Sequence, residues 1–355
     1  MRETSNNQNV EGRMPLDRQR VNRGQEKDRL PTAHCPLPTD LFRARRALEP
    51  LIRRTPIEYC RWLSKLVEAD VYLKLENLQL TGSFKIRGAL NRLLQLTEEE
   101  RRRGILTVSA GNHGRAVAYG AQLLGLDATV VVPKTAAQTK VEALRQYNVK
   151  LLQLGDNYDE AERQARLLEK EGGKTFISPY NDPGVIGGQG TIGLEMLEAL
   201  PALDTILVAI GGGGLMAGVA LAAKMIKPQL RLVGVEPQNS PSMLRSLQTG
   251  SIVQIEEDET IADGLAGNIE PGAITFPIIR ELVDEIVLVS EEEIGRAVVA
   301  LLEKDHLVVE GAGAAAVAAL ISGKVKTSGA TVGAVVSGGN ISLPLLKTLI
   351  MKYSN

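Results

Sequence analysis

Short apolar runs alternate with helix-period patterns from about Leu41 to the end of the chain. The runs at 71–76, 105–109, 128–133, 149–154, 175–178, 205–210, 231–236, 285–289 and 332–337 predict strands. Several are nearly unbroken Val, Ile and Leu, the pattern of strands covered on both faces. Between them, 84–96, 115–124, 159–170, 215–224 and 291–303 read as helices. Strand–helix alternation means βαβ units, so the expected fold class is α/β, with mostly parallel open sheets covered by helices. On the helix at 84–96, Ile86, Leu90, Leu93, Leu94 and Thr97 form the expected buried stripe. Gly88 and Ala89 are expected to leave room beside Lys85. Residues 1–34 are polar and mixed in charge with almost no apolar periodicity, and read as a disordered extension.

Composition narrows the function classes. A chain of 355 residues suggests two domains. Lys and Arg number 41 against 42 Asp and Glu, a formal charge of -1, which argues against nucleic acid as a partner. Aromatics are only 3%, too few for base-stacking platforms. No apolar run approaches the ~20 residues of a membrane span. Cys35 and Cys60 form no CxxC and no ligand cluster, so a disulfide framework and a structural zinc are unsupported. His34, His113 and His306 are scattered, which disfavours a His-based metal site or a Ser-His-Asp triad. The expected compartment is reducing and cytoplasmic.

Three Gly-rich loops each follow a predicted strand: Ser109-Ala110-Gly111-Asn112-His113-Gly114, Gly211-Gly212-Gly213-Gly214, and Ser337-Gly338-Gly339-Asn340. Ligands of open α/β sheets bind beyond the carboxyl ends of the strands, so the three loops could converge on one ligand. The four glycines open a helix with bare backbone N–H groups, which makes a phosphate cradle. No Lys-Ser/Thr pair follows them, so triphosphate hydrolysis is disfavoured. Gly212-x-Gly214-x-x-Ala217 with Glu236 also fits a loose dinucleotide fingerprint. Lys85 sits at the start of the predicted helix, in the junction Thr81-Gly82-Ser83-Phe84-Lys85-Ile86-Arg87-Gly88 between strand and helix. A lysine at a helix start is usually a solvated surface charge. The alternative is a Schiff-base lysine, which needs a semi-buried amine with a lowered pKa.

Ser83-Phe84-Lys85-Ile86-Arg87-Gly88, Ser109-Ala110-Gly111-Asn112-His113, Gly188-Gln189-Gly190-Thr191, the four glycines and Ser337-Gly338-Gly339-Asn340 together resemble the fold-type-II pyridoxal-phosphate enzymes. That fold is the two-domain, tryptophan synthase β-like one. The branch most resembled is the serine/threonine dehydratases, with serine racemase nearby. The resemblance runs from about Pro56 to about Leu343. It implies that Lys85 binds the cofactor covalently and acts as base at the α-carbon. Phe84 would pack on the cofactor ring, and Gly211, Gly212, Gly213, Gly214 and Leu215 would hold its phosphate. Asn112 would meet its phenolic oxygen and Ser337 its pyridine nitrogen. Ser109, Gly111, Asn112 and His113 would take the substrate carboxylate through backbone N–H groups. A β-hydroxy amino acid, L-threonine or L-serine, would yield a 2-oxo acid and ammonia.

The same resemblance implies a large domain of 35–103 plus 182–355, a small mobile domain of 104–181, and a homo-oligomer. Departures from the family matter. Ala110 stands where racemases of this branch carry a second Ser. Glu236 stands where relatives hold a divalent cation, but Ser242 replaces the second acid, so a cation site there would be weak. Competing readings are a racemase, a dehydratase of 3-hydroxyaspartate or phenylserine, an NAD-dependent oxidoreductase built on Gly212, Gly214 and Glu236, and a non-catalytic binding module.

Overall fold

The computed structural model describes residues 13–15 and 35–354. Among them are the strands β1 (Arg13–Pro15), β2 (Ile57–Tyr59), β3 (Asp70–Leu75), β4 (Ile105–Val108), β5 (Ala128–Val132) and β6 (Lys150–Gln153). The series continues with β7 (Thr175–Phe176), β8 (Thr205–Ala209), β9 (Arg231–Pro237), β10 (Glu285–Val289) and β11 (Thr331–Val336). Every strand that the apolar pattern predicts is present. β2 was not expected, because three residues carry too little alternation to register.

Seven strands form one sheet in the order β1-β10-β9-β8-β11-β3-β2, and four form a second, β6-β5-β4-β7. Pairing is parallel throughout except at the two margins of the larger sheet. There β1 runs antiparallel to β10, with Met14 opposite Ile286, and β2 runs antiparallel to β3. Arg13–Pro15 lies in the stretch read as a disordered extension, and at these three positions that reading is corrected. The free N–H and C=O groups of β10 are a template onto which an extended segment can pair. The rest of 1–34 lies outside the described residues.

All residues of β4, β5 and β8 are buried, as their nearly unbroken apolar runs require. Each Val, Leu or Ile so buried contributes about 1.5–3 kcal/mol. The chain passes outward from β8 through β9 to β10, whereas β11 returns to the other side of β8. A crevice therefore opens beyond the carboxyl ends of β8 and β11, at the point where the strand order reverses. Ala334 pairs with Leu207, and Val336 with Leu75, so the loops after β8, β11 and β3 leave side by side.

Three helices frame this crevice: Lys85–Leu94, Pro183–Ala199 and Gly214–Ile226. They meet through glycine. A Cβ at Gly188 would run into the Arg87 carbonyl, and one at Gly88 would stand 2.5 Å from Gln189 Nε2. At Gly218 a Cβ would lie 2.5 Å from the Ile186 carbonyl. The expected space at Gly88 is thus used for helix contact and not for a ligand. Thr97 also departs from expectation: it is exposed and caps the next helix, Glu98–Arg103, accepting from the Glu100 N–H at 3.2 Å. Capping suits a short hydroxyl side chain better than a helix interior does.

Candidate active site

Lys85 opens its helix with Phe84 at the N-cap. The Phe84 N–H donates to the Ser337 carbonyl at 3.0 Å, and the Gly339 N–H to the Gly82 carbonyl at 2.9 Å. Ser83 and Gly338 form an antiparallel bridge between these bonds. The segment before Lys85 is thereby stitched to the loop after β11, and two motifs distant in sequence become one wall. Lys85 Nζ donates to the Pro179 carbonyl at 3.0 Å and lies 5.1 Å from the centre of the Phe84 ring. Burial pushes the amine down to about 8, partly opposed by the Glu310 carboxylate.

Gly213 has φ +85°, a left-handed conformation that favours glycine, and caps the helix Gly214–Ile226. The Tyr180 ring packs against Gly212, where any Cβ would run into it. A Cβ at Gly214 would stand 2.9 Å from Tyr180 Cα. Pro179 touches Lys85 and Tyr180 touches the glycine loop, so one short segment spans both. The Tyr180 hydroxyl accepts from the Glu270 N–H at 2.9 Å, and Thr275 Oγ1 donates to the Gly212 carbonyl at 2.8 Å. Asp182 then caps the helix Pro183–Ala199 by accepting from the Val185 N–H at 2.9 Å, worth about 1 kcal/mol.

The loop after β4 arrives from the other sheet. Asn112 Nδ2 donates to Glu310 Oε1 at 2.6 Å, and Asn112 Oδ1 accepts from Asn340 Nδ2 at 2.6 Å. Asn340 Oδ1 accepts from Arg115 Nη1 at 2.7 Å. One Asn112 Nδ2 hydrogen stays available, because an amide nitrogen carries two. Burial, with Asp263 adding to it, pushes the Glu310 carboxyl up to about 7. The Gly111 N–H donates to Ser109 Oγ at 3.2 Å, and a Cβ at Gly111 would meet nothing within 4 Å. That side of the loop is open. The His113 side chain is instead in the core, with Nε2 3.0 Å from the Ile177 carbonyl. Burial, and then the Lys85 charge, push it down to about 3, so it stays neutral.

Of the residues singled out in the sequence, Lys85, Phe84, Ser337, Asn112 and the glycines at 211–214 are thus joined through direct contacts or through Pro179, Tyr180 and Glu310. Leu215 lies buried in the helix that the glycines open. Ser337 Oγ makes a single long bond, 3.3 Å to the Ala312 carbonyl. Ser83 Oγ, two residues before Lys85, is buried with no hydrogen-bond partner. An amine of lowered pKa, a glycine loop at a helix N-terminus, a carboxamide and under-used hydroxyls fit an aldehyde that carries a phosphate. Tyr180, Glu310 and Thr275 were missed in the sequence; each comes from a loop or helix start with no motif of its own.

Glu236 lies elsewhere. Its two oxygens accept the N–H groups of Met243 and Leu244, at 2.9 and 2.8 Å, at the start of the helix Ser242–Thr249. Burial pushes its carboxyl up to about 8. Ser242 Oγ donates to the Gly267 carbonyl at 3.1 Å. No group of three or more His, Cys, Asp or Glu side chains is placed to hold a metal among the described residues. Glu236 serves as a helix cap, and Ser242 brings no second carboxylate, so a cation site here would have a single acid already engaged by two N–H groups.

The profile of the family described as "Pyridoxal-phosphate dependent enzyme" matches residues 48–338. The chain belongs to this family. Two curated members are similar over most of their length. An L-threonine ammonia-lyase of Thermotoga maritima is 44% identical over 88% of this chain and 78% of its own. The L-threonine dehydratase catabolic TdcB of Staphylococcus aureus is 43% identical over 90% of this chain and 94% of its own. Among solved structures, maize serine racemase superposes with a TM-score of 0.85 at 35% identity, covering 90% of this chain and 98% of that one. The family's cofactor suits the amine and glycine loop described above. Among the described residues no helix is long and apolar enough to cross a membrane.

Proposed function

We propose that this protein is a pyridoxal-phosphate-dependent ammonia-lyase that converts L-threonine, and L-serine as an alternative substrate, to a 2-oxo acid and ammonia. The observation that carries the reading is the Lys85 amine, held at the Pro179 carbonyl and pushed down to about 8 beside the glycine loop. Relatives 43–44% identical that are named for threonine support the substrate. Pyridoxal phosphate, when bound, supplies the electron sink. The backbone N–H groups of Gly211, Gly212, Gly213, Gly214 and Leu215 would hold its phosphate. The second Asn112 Nδ2 hydrogen would serve its phenolic oxygen, and the Ser337 hydroxyl its pyridine nitrogen. A hydroxyl there would not hold that nitrogen protonated as a carboxylate would, which would weaken the electron sink and favour elimination over transamination.

Phe84 flanks the amine and excludes water from one side. Of the four residues expected to take the substrate carboxylate, Asn112 and His113 offer free backbone N–H groups in the first turn of the helix Asn112–Leu124, whereas the Ser109 N–H donates to the Val131 carbonyl at 3.1 Å and the Gly111 N–H to Ser109 Oγ. Lys85 Nζ, held beside the Phe84 ring, would be the base that takes the substrate's α-proton. The four-stranded sheet and its helices, 104–181, form the smaller domain that carries this loop. The enzyme works in the cytoplasm as a homo-oligomer.

The test is release of ammonia and 2-oxobutanoate from L-threonine by the native protein and by Lys85→Ala. Turnover should fall at least about 100-fold in the variant, the lower end of what a positioned base contributes. Borohydride reduction of the native holoenzyme followed by peptide mapping should label Lys85, and a label on another lysine would overturn the reading. A serine racemase is the second reading, favoured by the likeness to the maize structure. Chiral analysis of L-serine incubated with the enzyme separates the two.

A further inference from the structure

Beneath the helix that carries Lys85 lies a group of four charges that the reaction does not touch. Lys74, Glu76 and Arg87 are 0% exposed and Glu195 is 6% exposed. Arg87 Nε and Nη2 donate to Glu76 at 2.8 and 2.9 Å. Its Nη1 and Nη2 donate to Glu195 at 2.6 and 3.0 Å, and Nη1 also donates to Thr191 Oγ1 at 3.1 Å. These contacts use all five N–H groups of a guanidinium, so its plane, height and rotation are all fixed. The acids are fixed in turn. Lys74 Nζ donates to Glu195 Oε2 at 2.5 Å and to the Thr55 carbonyl at 2.8 Å. Thr55 Oγ1 donates to Glu76 Oε1 at 2.5 Å, and Thr191 Oγ1 to the Gly188 carbonyl at 2.6 Å.

The placement of this quartet is specific. Lys74 is in β3, Glu76 follows it directly, and Glu195 is in the helix Pro183–Ala199. Arg87 is in the first turn of its helix, two residues after Lys85. Two cations and two anions balance one another. Such buried networks are poor sources of stability: apolar residues of the same volume usually do as well or better. Apolar contact, however, is non-directional and lets a helix slide or turn, whereas five directed bonds do not.

We infer that Lys74, Glu76, Arg87 and Glu195 act as positioning residues that set the height and rotation of the first turn bearing Lys85, and so the place of its amine in the crevice. The inference rests on the reading of Lys85 as the cofactor lysine, which borohydride mapping of the native protein tests separately. Lysine at position 87 would keep the charge but bring only three donors from one point, leaving carboxylate oxygens unserved.

Two holoenzyme variants test it: Arg87→Lys, and a neutral replacement of the whole quartet, Lys74→Met with Glu76→Leu, Arg87→Met and Glu195→Leu. Three signals are read: the melting temperature, the pH titration of the cofactor's visible absorption, and kcat against KM for L-threonine. The neutral chain should melt at or above the native temperature. It should still lose at least about tenfold in kcat with KM within about twofold, and shift the titration of the visible band. A misplacement of about 1 Å costs up to about 100-fold in rate. Arg87→Lys should show the same kcat loss and band shift. A stable neutral chain with native kcat and native titration would overturn the inference and leave the quartet a packing device only. If the neutral chain fails to fold, Arg87→Lys read well below its melting temperature decides, and native kcat and titration there overturn the inference equally. If neither folds, Glu195→Gln, which keeps shape and removes charge, is read by the same two signals.

Discussion

An amine pushed down to about 8 is unprotonated in a sizeable share of molecules near neutrality. Uptake of pyridoxal phosphate needs that form, because only a free lone pair attacks an aldehyde. The second-order rate of uptake by cofactor-free protein should therefore rise about tenfold per pH unit below about 8 and then level off. Stopped-flow absorbance measures it; a rate still climbing towards pH ~10 would mean an ordinary lysine. Ala110 gives a second expectation. Racemisation needs an acid on the far face of the α-carbon within hydrogen-bond reach, and alanine offers only a methyl group. Ala110→Ser should raise D-serine formation from L-serine at least about tenfold, a fraction of what a positioned acid contributes, as read by chiral chromatography. No gain would mean that another group already serves that face. At this scale the sequence was most legible where backbone geometry dictates residue type. Gly213, with φ +85°, stood out as a motif for that reason. Glu310 and Tyr180 did not, because such residues occur at any kind of position, and only the fold brings Glu310 to Asn112 and Tyr180 to the glycine loop.

The glycine loop leads into and caps the helix Gly214–Ile226, so its variants report on an element. Gly213→Ala forces a Cβ into the left-handed region, a cost of about 1–2 kcal/mol, and stands it 2.7 Å from Ile279 Cδ1. Gly212→Val would displace Tyr180. Each should raise the Kd for pyridoxal phosphate at least about tenfold, the equivalent of 1.4 kcal/mol, in a fluorescence or absorbance titration. Unchanged affinity would remove the loop from the site. Strands such as β8 and β11 were legible because burial on both faces demands unbroken apolar runs. β1 and β2 were not, since pairing at a sheet margin asks little of three residues. Glu236 was ambiguous for a related reason: an acid ending a strand looks the same in sequence whether it meets a ribose, a cation or two helix N–H groups, and here it meets the last.

Across the whole molecule, the shifted groups predict how stability follows pH. Glu236 and Glu310 are raised to about 8 and about 7 from 4.5. Between those limits the folded chain holds protons that the unfolded chain has released, so stability falls as pH rises. His113, lowered to about 3 from 6.5, acts oppositely, but only below its unfolded value. Lys85, lowered to about 8 from 10.5, restores stability as pH rises from about 8 to about 9, above which Cys60, raised to about 12 from 9.0, offsets it. The cofactor-free protein should therefore show a stability minimum near pH ~8, read from urea midpoints. Glu236→Gln should flatten the falling limb, and a midpoint that rises steadily from pH ~6.5 to ~8 would refute this account. The glycine contacts among the helices Lys85–Leu94, Pro183–Ala199 and Gly214–Ile226 reach further. Backbones in direct touch leave neither a solvent path nor spare side-chain rotamers between them. Their amide hydrogens should exchange with deuterium only when the entire chain comes apart. Local openings elsewhere then leave the frame under Lys85 and the glycine loop intact, so a molecule that has begun to loosen keeps the shape that recaptures its cofactor.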